Sequence, residues 1–178
     1  MSMGDKIYLT EMTKEIAEVY FRGFIIDPVL FPDDQPIKEF QYSEQWLAAY
    51  LQRNKVCIRL AIMRNEDPIG EILLKRIDPS NRTAVLSIHL QNDSVKNKGY
   101  GTIAEILAIE YAFNIVGFKT IYADAIKNNK RSIHVLNKVG FQFIKEDENF
   151  LYFELHNAKY DPKAFRWPAE SPGRTVLP

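Results

Sequence analysis

The sequence predicts a single α/β (α+β) domain with a mixed, mostly antiparallel sheet of seven strands flanked by about four helices. Three observations predict it. Seven short runs rich in β-branched and aromatic residues are separated by turn signals, two helical patterns precede most of them, and a strongly apolar helical run separates the fourth strand from the fifth. The 178 residues suffice for one domain with a proper core and would be cramped for two.

In chain order, Ile7 to Leu9 reads as a first strand, and either Thr10 or Thr13 caps a helix running to about Phe24. Asp27-Pro28, Pro32-Asp33-Asp34 and Pro36 punctuate a loop before a second amphipathic helix, about Ser43 to Arg53. Three strands follow, Val56 to Met63, Ile69 to Ile77 and Thr83 to Leu90, with Asn65-Glu66-Asp67 and Asp78-Pro79-Ser80-Asn81 as turns, which makes an antiparallel meander. The helix from Gly101 to about Val116 has few polar positions, Glu105, Glu110 and Asn114, so protein must cover most of its circumference. It therefore crosses the sheet. Gly117 stops this helix, and Thr120 to Ala125, reached by a helical crossover, reads as a strand parallel to the fourth. Lys130 to Val139 forms the next helix, and Phe141 to Lys145 with Phe150 to Leu155 a closing hairpin. Residues 1–156 are thus one domain and 157–178 a tail. Pro162, Pro168, Pro172 and Pro178 oppose regular structure in the tail, while Phe165 and Trp167 suggest that part of it docks.

Composition excludes several function classes. Lys+Arg 23 against Asp+Glu 23 leaves no net field for nucleic acid or an anionic membrane, so any basic surface must be local. The one cysteine, Cys57, cannot form an internal disulfide and reads as a small apolar strand residue, and no Cys/His spacing suits a metal. Met1 to Lys6 carries no apolar signal region, and no apolar run approaches a membrane span, which predicts a cytoplasmic protein.

Two segments carry the functional signal. Lys96-Asn97-Lys98-Gly99-Tyr100-Gly101-Thr102 follows a strand and opens the apolar helix, so its glycines let backbone approach a ligand closely where the first helical turn has unpaired N–H groups. Such a turn favours a phosphate, and Lys96 and Lys98, with Lys127 and Lys130 as further candidates, add positive charge. A diphosphate would be well held. The loop is not a Walker A motif, because its lysines precede the glycines and Thr102 follows Gly101 directly; nor is it a dinucleotide fingerprint, because Ala104 takes the place of the third glycine. The second segment, Asn129-Lys130-Arg131-Ser132, opens a helix that closes in Gly140-Phe141.

From about Ile69 to Leu155 the chain resembles the GNAT acyltransferase superfamily. In that superfamily a Q/R-x-x-G-x-G/A loop grips the CoA pyrophosphate, and a later N-x-x-(A/S)…G-F segment forms the following helix and strand. Lys96 stands where the motif has Gln or Arg, and Ser132 in the third position after Asn129 looks closest to the Rim-type ribosomal-protein N-terminal acetyltransferases. The resemblance implies that the parallel strands splay apart and admit the pantetheine arm, and that the first two helices form one wall of an acceptor cleft. It implies a cofactor site made of Ile88, His89 and Leu90, the loop Lys96, Asn97, Lys98, Gly99, Tyr100, Gly101 and Thr102, and Asn129 with Ser132, with acetyl-CoA as cosubstrate. A backbone amide near Leu90 would polarise the thioester carbonyl.

Catalytic candidates follow from the chemistry of thioester aminolysis. Ser132, Val135, Leu136 and Val139 share one helical face, so the Ser132 hydroxyl points toward the sheet, either to hydrogen-bond the CoA sulfur or as a small packing residue beside an N-cap at Asn128 or Asn129. Many GNAT members place a tyrosine acid where this chain has Leu136; Tyr100, Tyr122 and Tyr152 are alternative donors. The acceptor amine must be neutral, which at pH 7 costs about 1 kcal/mol for an α-amino group and about 4.6 kcal/mol for a lysine. Candidate bases are His89, whose ordinary pKa suits the task, Glu146, Asp147 and Glu148 before the last strand, and Asp33 or Asp34. His89 alternates with Leu86, Ile88 and Leu90 and so faces away from them unless a bulge intervenes. The expected activity is direct acetyl transfer from acetyl-CoA to a primary amine, with a protein N-terminus as acceptor. The alternatives are a polyamine or other small amine, for which Asp33, Asp34 and Glu39 could supply an acidic cleft, and a catalytically silent CoA-binding module. A monomer or homodimer is expected.

Overall fold

In the computed structural model, which describes residues 5–30, 42–52 and 57–161, seven strands form one sheet. They are β1 (Ile7–Glu11), β2 (Ile58–Arg64), β3 (Asp67–Asp78), β4 (Thr83–Leu90), β5 (Thr120–Ile126), β6 (Gln142–Glu146) and β7 (Phe150–His156), in the order β1-β2-β3-β4-β5-β7-β6. Every pairing is antiparallel except β4 with β5, the pair joined by a helical crossover.

Two layers of helix cover the sheet. Helix α1 (Lys14–Arg22) is capped by Thr13, whose hydroxyl accepts from the Ile16 amide at 3.3 Å. It lies with α2 (Glu44–Gln52) on one face, where Tyr20, Phe21, Leu47 and Tyr50 bury Ala61 and Met63 of β2. The alternate residues of β2, Leu60 and Ile62, turn to the other face and join the larger core around α3 (Tyr100–Glu110). Every residue of α3 from Thr102 to Ile109 is buried, as its nearly continuous apolar sequence requires. The expected helix to Val116 does not stay α-helical: from Tyr111 to Val116 it widens into a π-helix that ends at Gly117 (φ 83°). Helix α4 (Lys130–Lys138) follows β5, and Leu136 and Val139 join the same core.

The feature that positions the site is an interrupted ladder. β4 and β5 pair from Thr83↔Thr120 to Leu86↔Ala123 and no further, although β4 continues against β3 to Gly70↔Leu90 and β5 against β7 to Ile126↔Phe150. The two strands therefore part beyond Leu86 and Ala123, leaving the facing edges of Ser87–Leu90 and Asp124–Ile126 without a shared ladder.

A buried polar cluster ties α2 to this region. The Glu71 carboxylate accepts from the Tyr50 hydroxyl at 2.6 Å and from the Arg59 guanidinium at 2.9 Å, and the guanidinium lies 3.7 Å from the Tyr50 ring centre. Glu71 stands opposite His89 in the β3–β4 register, so both side chains share the face covered by α1 and α2.

The first residues of the predicted tail are ordered: Asn157–Lys159 form a short 3₁₀ turn, and Tyr160 packs against the core with its ring 5.8 Å from Phe113. Phe165, Trp167, the four tail prolines, Val56, Arg53, Asp33, Asp34 and Glu39 lie outside the described residues.

Gly70 tests how tightly β3 holds the end of β4. A Cβ there would lie 2.6 Å from the His89 carbonyl oxygen and 2.9 Å from Ile62 Cδ1, so a strand must move. Gly70→Ala should lower stability by about 1–3 kcal/mol in urea denaturation. An unchanged midpoint would contradict this close approach.

Candidate active site

The loop after β4 is built by side-chain clamps. The Gln91 amide donates to Ile69 O at 2.8 Å, and its side chain to Tyr20 O at 2.7 Å, while the Ile25 amide donates back to Gln91 O at 2.8 Å. The Asn92 side chain donates to Gly23 O at 3.0 Å and accepts from the Ser94 amide at 3.0 Å, which nucleates a 3₁₀ turn at Asp93–Val95. The end of β4 is thereby fixed to the end of α1. Two left-handed residues, Asn97 (φ 58°) and Gly99 (φ 82°), then swing the chain into α3. Gly99 occupies the N-cap and has no side chain to cap with, so the first-turn amides are left for a ligand.

These amides open on a cavity of about 410 Å³. Its walls are Gly99, Gly101 and Thr102 from α3, and Asn129, Ser132 and Val135 from α4; Ile88, His89 and Leu90 form the floor and Phe24 part of the rim. A second cavity of about 230 Å³ occupies the gap where β4 and β5 separate, between Leu86, Ser87 and Ala123 to Ile126, with Leu136 and Phe150 beside it. Ile88, His89, Glu105, Asn129 and Ser132 border both cavities, which meet at the splayed strands.

The structure brings most of the expected residues together and redirects others. The Asn129 side chain caps α4 by accepting from the Ser132 amide at 3.1 Å, which places the Ser132 hydroxyl at the junction. His89 keeps the facing that simple alternation predicts, with Nε2 3.5 Å from the Ser87 hydroxyl. Burial, aided by the positive charges of Lys75 and Arg59 and opposed by Glu71, holds its pKa below the ordinary histidine value of 6.5. The ring is therefore neutral at pH 7.

Lys96 is not the free cation expected of it. Its ammonium is 2.6 Å from Asp27 and 2.9 Å from Asp93, and Arg131 lies 2.8 Å from the same Asp27 oxygen. Burial works against ionising Asp27, but hydrogen bonds from Lys96 and the Val29 amide, with the two cations, hold its carboxyl below the usual range. Two cations thus meet two carboxylates, so an attraction for the phosphate expected here would fall to the loop amides. Lys98 and Lys130 are exposed and border neither cavity, and Lys127 pairs with Glu146 at 3.4 Å.

Tyr100 contributes backbone alone: its ring is buried and its hydroxyl donates to Asp5 at 2.5 Å. Tyr152 donates to Asp147 at 2.6 Å, Tyr122 is 37% exposed, and none of the three tyrosines borders a cavity. Glu148 is displaced from the candidate catalytic set. Asp147 accepts from the Asn149 and Phe150 amides and closes the β6–β7 turn, which leaves Glu148 exposed at its tip and away from both cavities.

Glu105 is the residue that sequence reasoning missed. It counted as a polar position on α3, yet it is 2% exposed, its Oε2 has no partner, and burial pushes its carboxyl up to about 8. Its spacing was the available signal: one helical turn beyond Gly101 it must face the same way as that glycine, toward Ile88 and Leu90.

Residues 6–142 match the family model described as an acetyltransferase (GNAT) domain. A curated spermidine N(1)-acetyltransferase from Escherichia coli (strain K12) is 28% identical over 102 residues, 56% of this chain and 54% of that protein. The chain thus spans about half the length of the curated relatives it matches. Among solved structures, a probable acetyltransferase superposes with a TM-score of 0.71 at 19% identity, covering 89% of this chain and 97% of the other. Spermidine N-acetyltransferase from Vibrio cholerae in complex with CoA and spermine superposes with a TM-score of 0.69 at 15% identity, covering 87% and 98%. These structures share the fold.

The environment of His89 yields a pH prediction. Its folded pKa lies below the unfolded value of about 6.5, so the stability it contributes is present above that pH and is lost as pH falls through the folded pKa. NMR titration of the His89 ring should give a midpoint clearly below about 6.5. A midpoint at or above that value would mean that the ring is not desolvated as described.

Proposed function

Because this chain belongs to the GNAT acetyltransferase family, we propose that it moves the acetyl group of acetyl-CoA directly onto a primary amine of a polyamine or similar small amine. The observation that carries this reading is the meeting of two cavities at the point where the β4–β5 ladder stops. One cavity begins at uncapped helix amides suited to a pyrophosphate; the other opens through the sheet. A pantetheine arm lying in the first would bring its thioester to the junction, where strand-edge amides near Leu90 can polarise the carbonyl.

His89 then serves as the base. Neutralising an amine of pKa near 10.4 takes about 4.6 kcal/mol at pH 7, so a site for such an acceptor gains from a group that accepts the proton. A half-buried, neutral imidazole at the junction is such a group, directly or through one water. The polyamine reading is also supported by the spermidine acetyltransferases among the relatives, and the half-buried Asp124 beside the second cavity suits a cationic acceptor. Ser132 would orient the sulfur by hydrogen bonding, since an aliphatic hydroxyl is too weak an acid to protonate it.

Two experiments test this reading. Thiol release from acetyl-CoA should be at least about tenfold faster with spermidine than with a peptide carrying a free N-terminus, or with the same peptide blocked there but carrying lysine. Faster turnover of the free N-terminus would transfer the assignment to protein N-terminal acetylation, in line with the Rim-type look of the second motif. No release with any amine would leave a CoA-binding module. Separately, Gly99→Ala forces a side chain into the left-handed conformation at φ 82° and should weaken CoA binding about tenfold by calorimetry. Unchanged affinity would remove the phosphate cradle from this loop.

A further inference from the structure

Thioester aminolysis moves two protons: one leaves the attacking amine, and one must reach the departing sulfur. Among the residues at the cavity junction, few can supply the second. His89 is neutral and accepts; the Asn129 carbonyl oxygen is committed to the Ser132 amide; the Ser132 hydroxyl is a poor acid; Ile88 is apolar. The Tyr100 and Tyr152 phenols are bound to Asp5 and Asp147, away from both cavities. Glu105 remains. Glu105 lines both cavities and is 2% exposed, and its carboxyl has an oxygen sealed from solvent with no hydrogen-bond partner. A native fold retains such a group at a considerable desolvation cost, and that cost calls for an explanation.

We propose that Glu105 is the general acid of the acyl transfer, giving its carboxyl proton to the CoA sulfur as the carbon–sulfur bond breaks. This rests on the acetyl-CoA reading above. The amine nitrogen bonds to the thioester carbon, the carbon–sulfur bond breaks, the sulfur takes the proton of Glu105, and the amine proton passes to His89. Water in the open cavities then returns a proton from His89 to Glu105, so the net products are the acetylated amine and the CoA thiol.

Protonation states agree with these roles. Burial alone raises the Glu105 carboxyl to about 8, so it carries its proton at neutral pH and is close in acidity to a thiol of pKa about 8.5. The titratable groups on the elements around it are His89 of β4, Lys75 of β3, Asp124 of β5, His134 of α4 and the Asp27–Lys96–Arg131 cluster at the mouth. None forms an ion pair with Glu105, and the cluster is internally neutralised.

The test compares wild-type protein with E105Q, which keeps shape and polarity but has no acidic proton. With spermidine saturating, wild-type kcat should fall above a pH of about 8 as Glu105 ionises, and E105Q should lack that limb and turn over about tenfold or more slowly, with KM for acetyl-CoA within about threefold of wild type. A folded-state pKa raised from 4.5 to about 8 also means that the native state is penalised as pH climbs through that window, so the melting temperature of E105Q relative to wild type should rise between those values. If E105Q is more stable but keeps kcat within about twofold, Glu105 is structural and the proposal fails while the acetyltransferase reading stands. The wild-type profile is a second criterion that needs no mutant: kcat without a basic limb overturns the proposal. Wild-type protein that acetylates no amine overturns both.

Discussion

Everything at this site depends on a parallel strand pair that stops halfway. Backbone N–H and C=O groups away from water must be paired, and a regular sheet pairs them with the next strand. Here β4 is held along its whole length by β3, and at its end by Gln91 and Asn92 against α1, while β5 is held by β7. Each strand is secured on its outer side, so the inner ladder can end at Leu86 and Ala123 without unravelling either. The gap between them holds the smaller cavity of the site, which adjoins the larger one along Ile88, His89, Glu105, Asn129 and Ser132.

Charge in the cofactor cleft is arranged for neutrality. Lys96 and Arg131 face the larger cavity, yet Asp27 binds both and Asp93 binds Lys96 again. A cleft of free lysines would attract phosphates over a longer range but would also bind any anion, with a strong dependence on salt. Helix amides act only at contact, so the proposed selection of a diphosphate would rest on shape. Asp27 also links the loop after α1 to the start of α4 across the mouth, so the ion pairs tie together three segments that are far apart in sequence.

The fold was largely legible because its signals are local and redundant. All seven strands and four helices fall where turn residues and periodicity place them, and the Gly99 loop was recognisable since a positive φ and an uncapped helix start demand small residues there. Side-chain commitments were not legible. Lys96 has partners 69 and 3 residues away, and nothing in a linear reading pairs it with Asp27. Glu148 was drawn into the site by proximity to the last strand, whereas an Asp147-centred turn holds it outside. The π-helix after Glu110 escaped because its residues continue an apolar helical pattern, and nothing in that pattern marks the extra residue per turn.

The buried arginine and glutamate side chains divide by whether they are satisfied. On the α1–α2 face, Arg59, Glu71 and Tyr50 exchange hydrogen bonds and a ring contact, so each buried charge there has a partner. On the α3 face, Glu105 has an oxygen with no such compensation and sits at the junction of the two cavities. A hydrophobic residue there would pack as well and stabilise the helix further, since neighbouring Ile106, Leu107 and Ile109 are all apolar and buried. The sheet thus separates a satisfied polar cluster, whose Glu71 stands opposite His89, from an unsatisfied carboxyl on its other side. The interrupted ladder is where the two faces communicate, and a proton acceptor and a proton donor can serve one reaction from opposite sides of a single sheet.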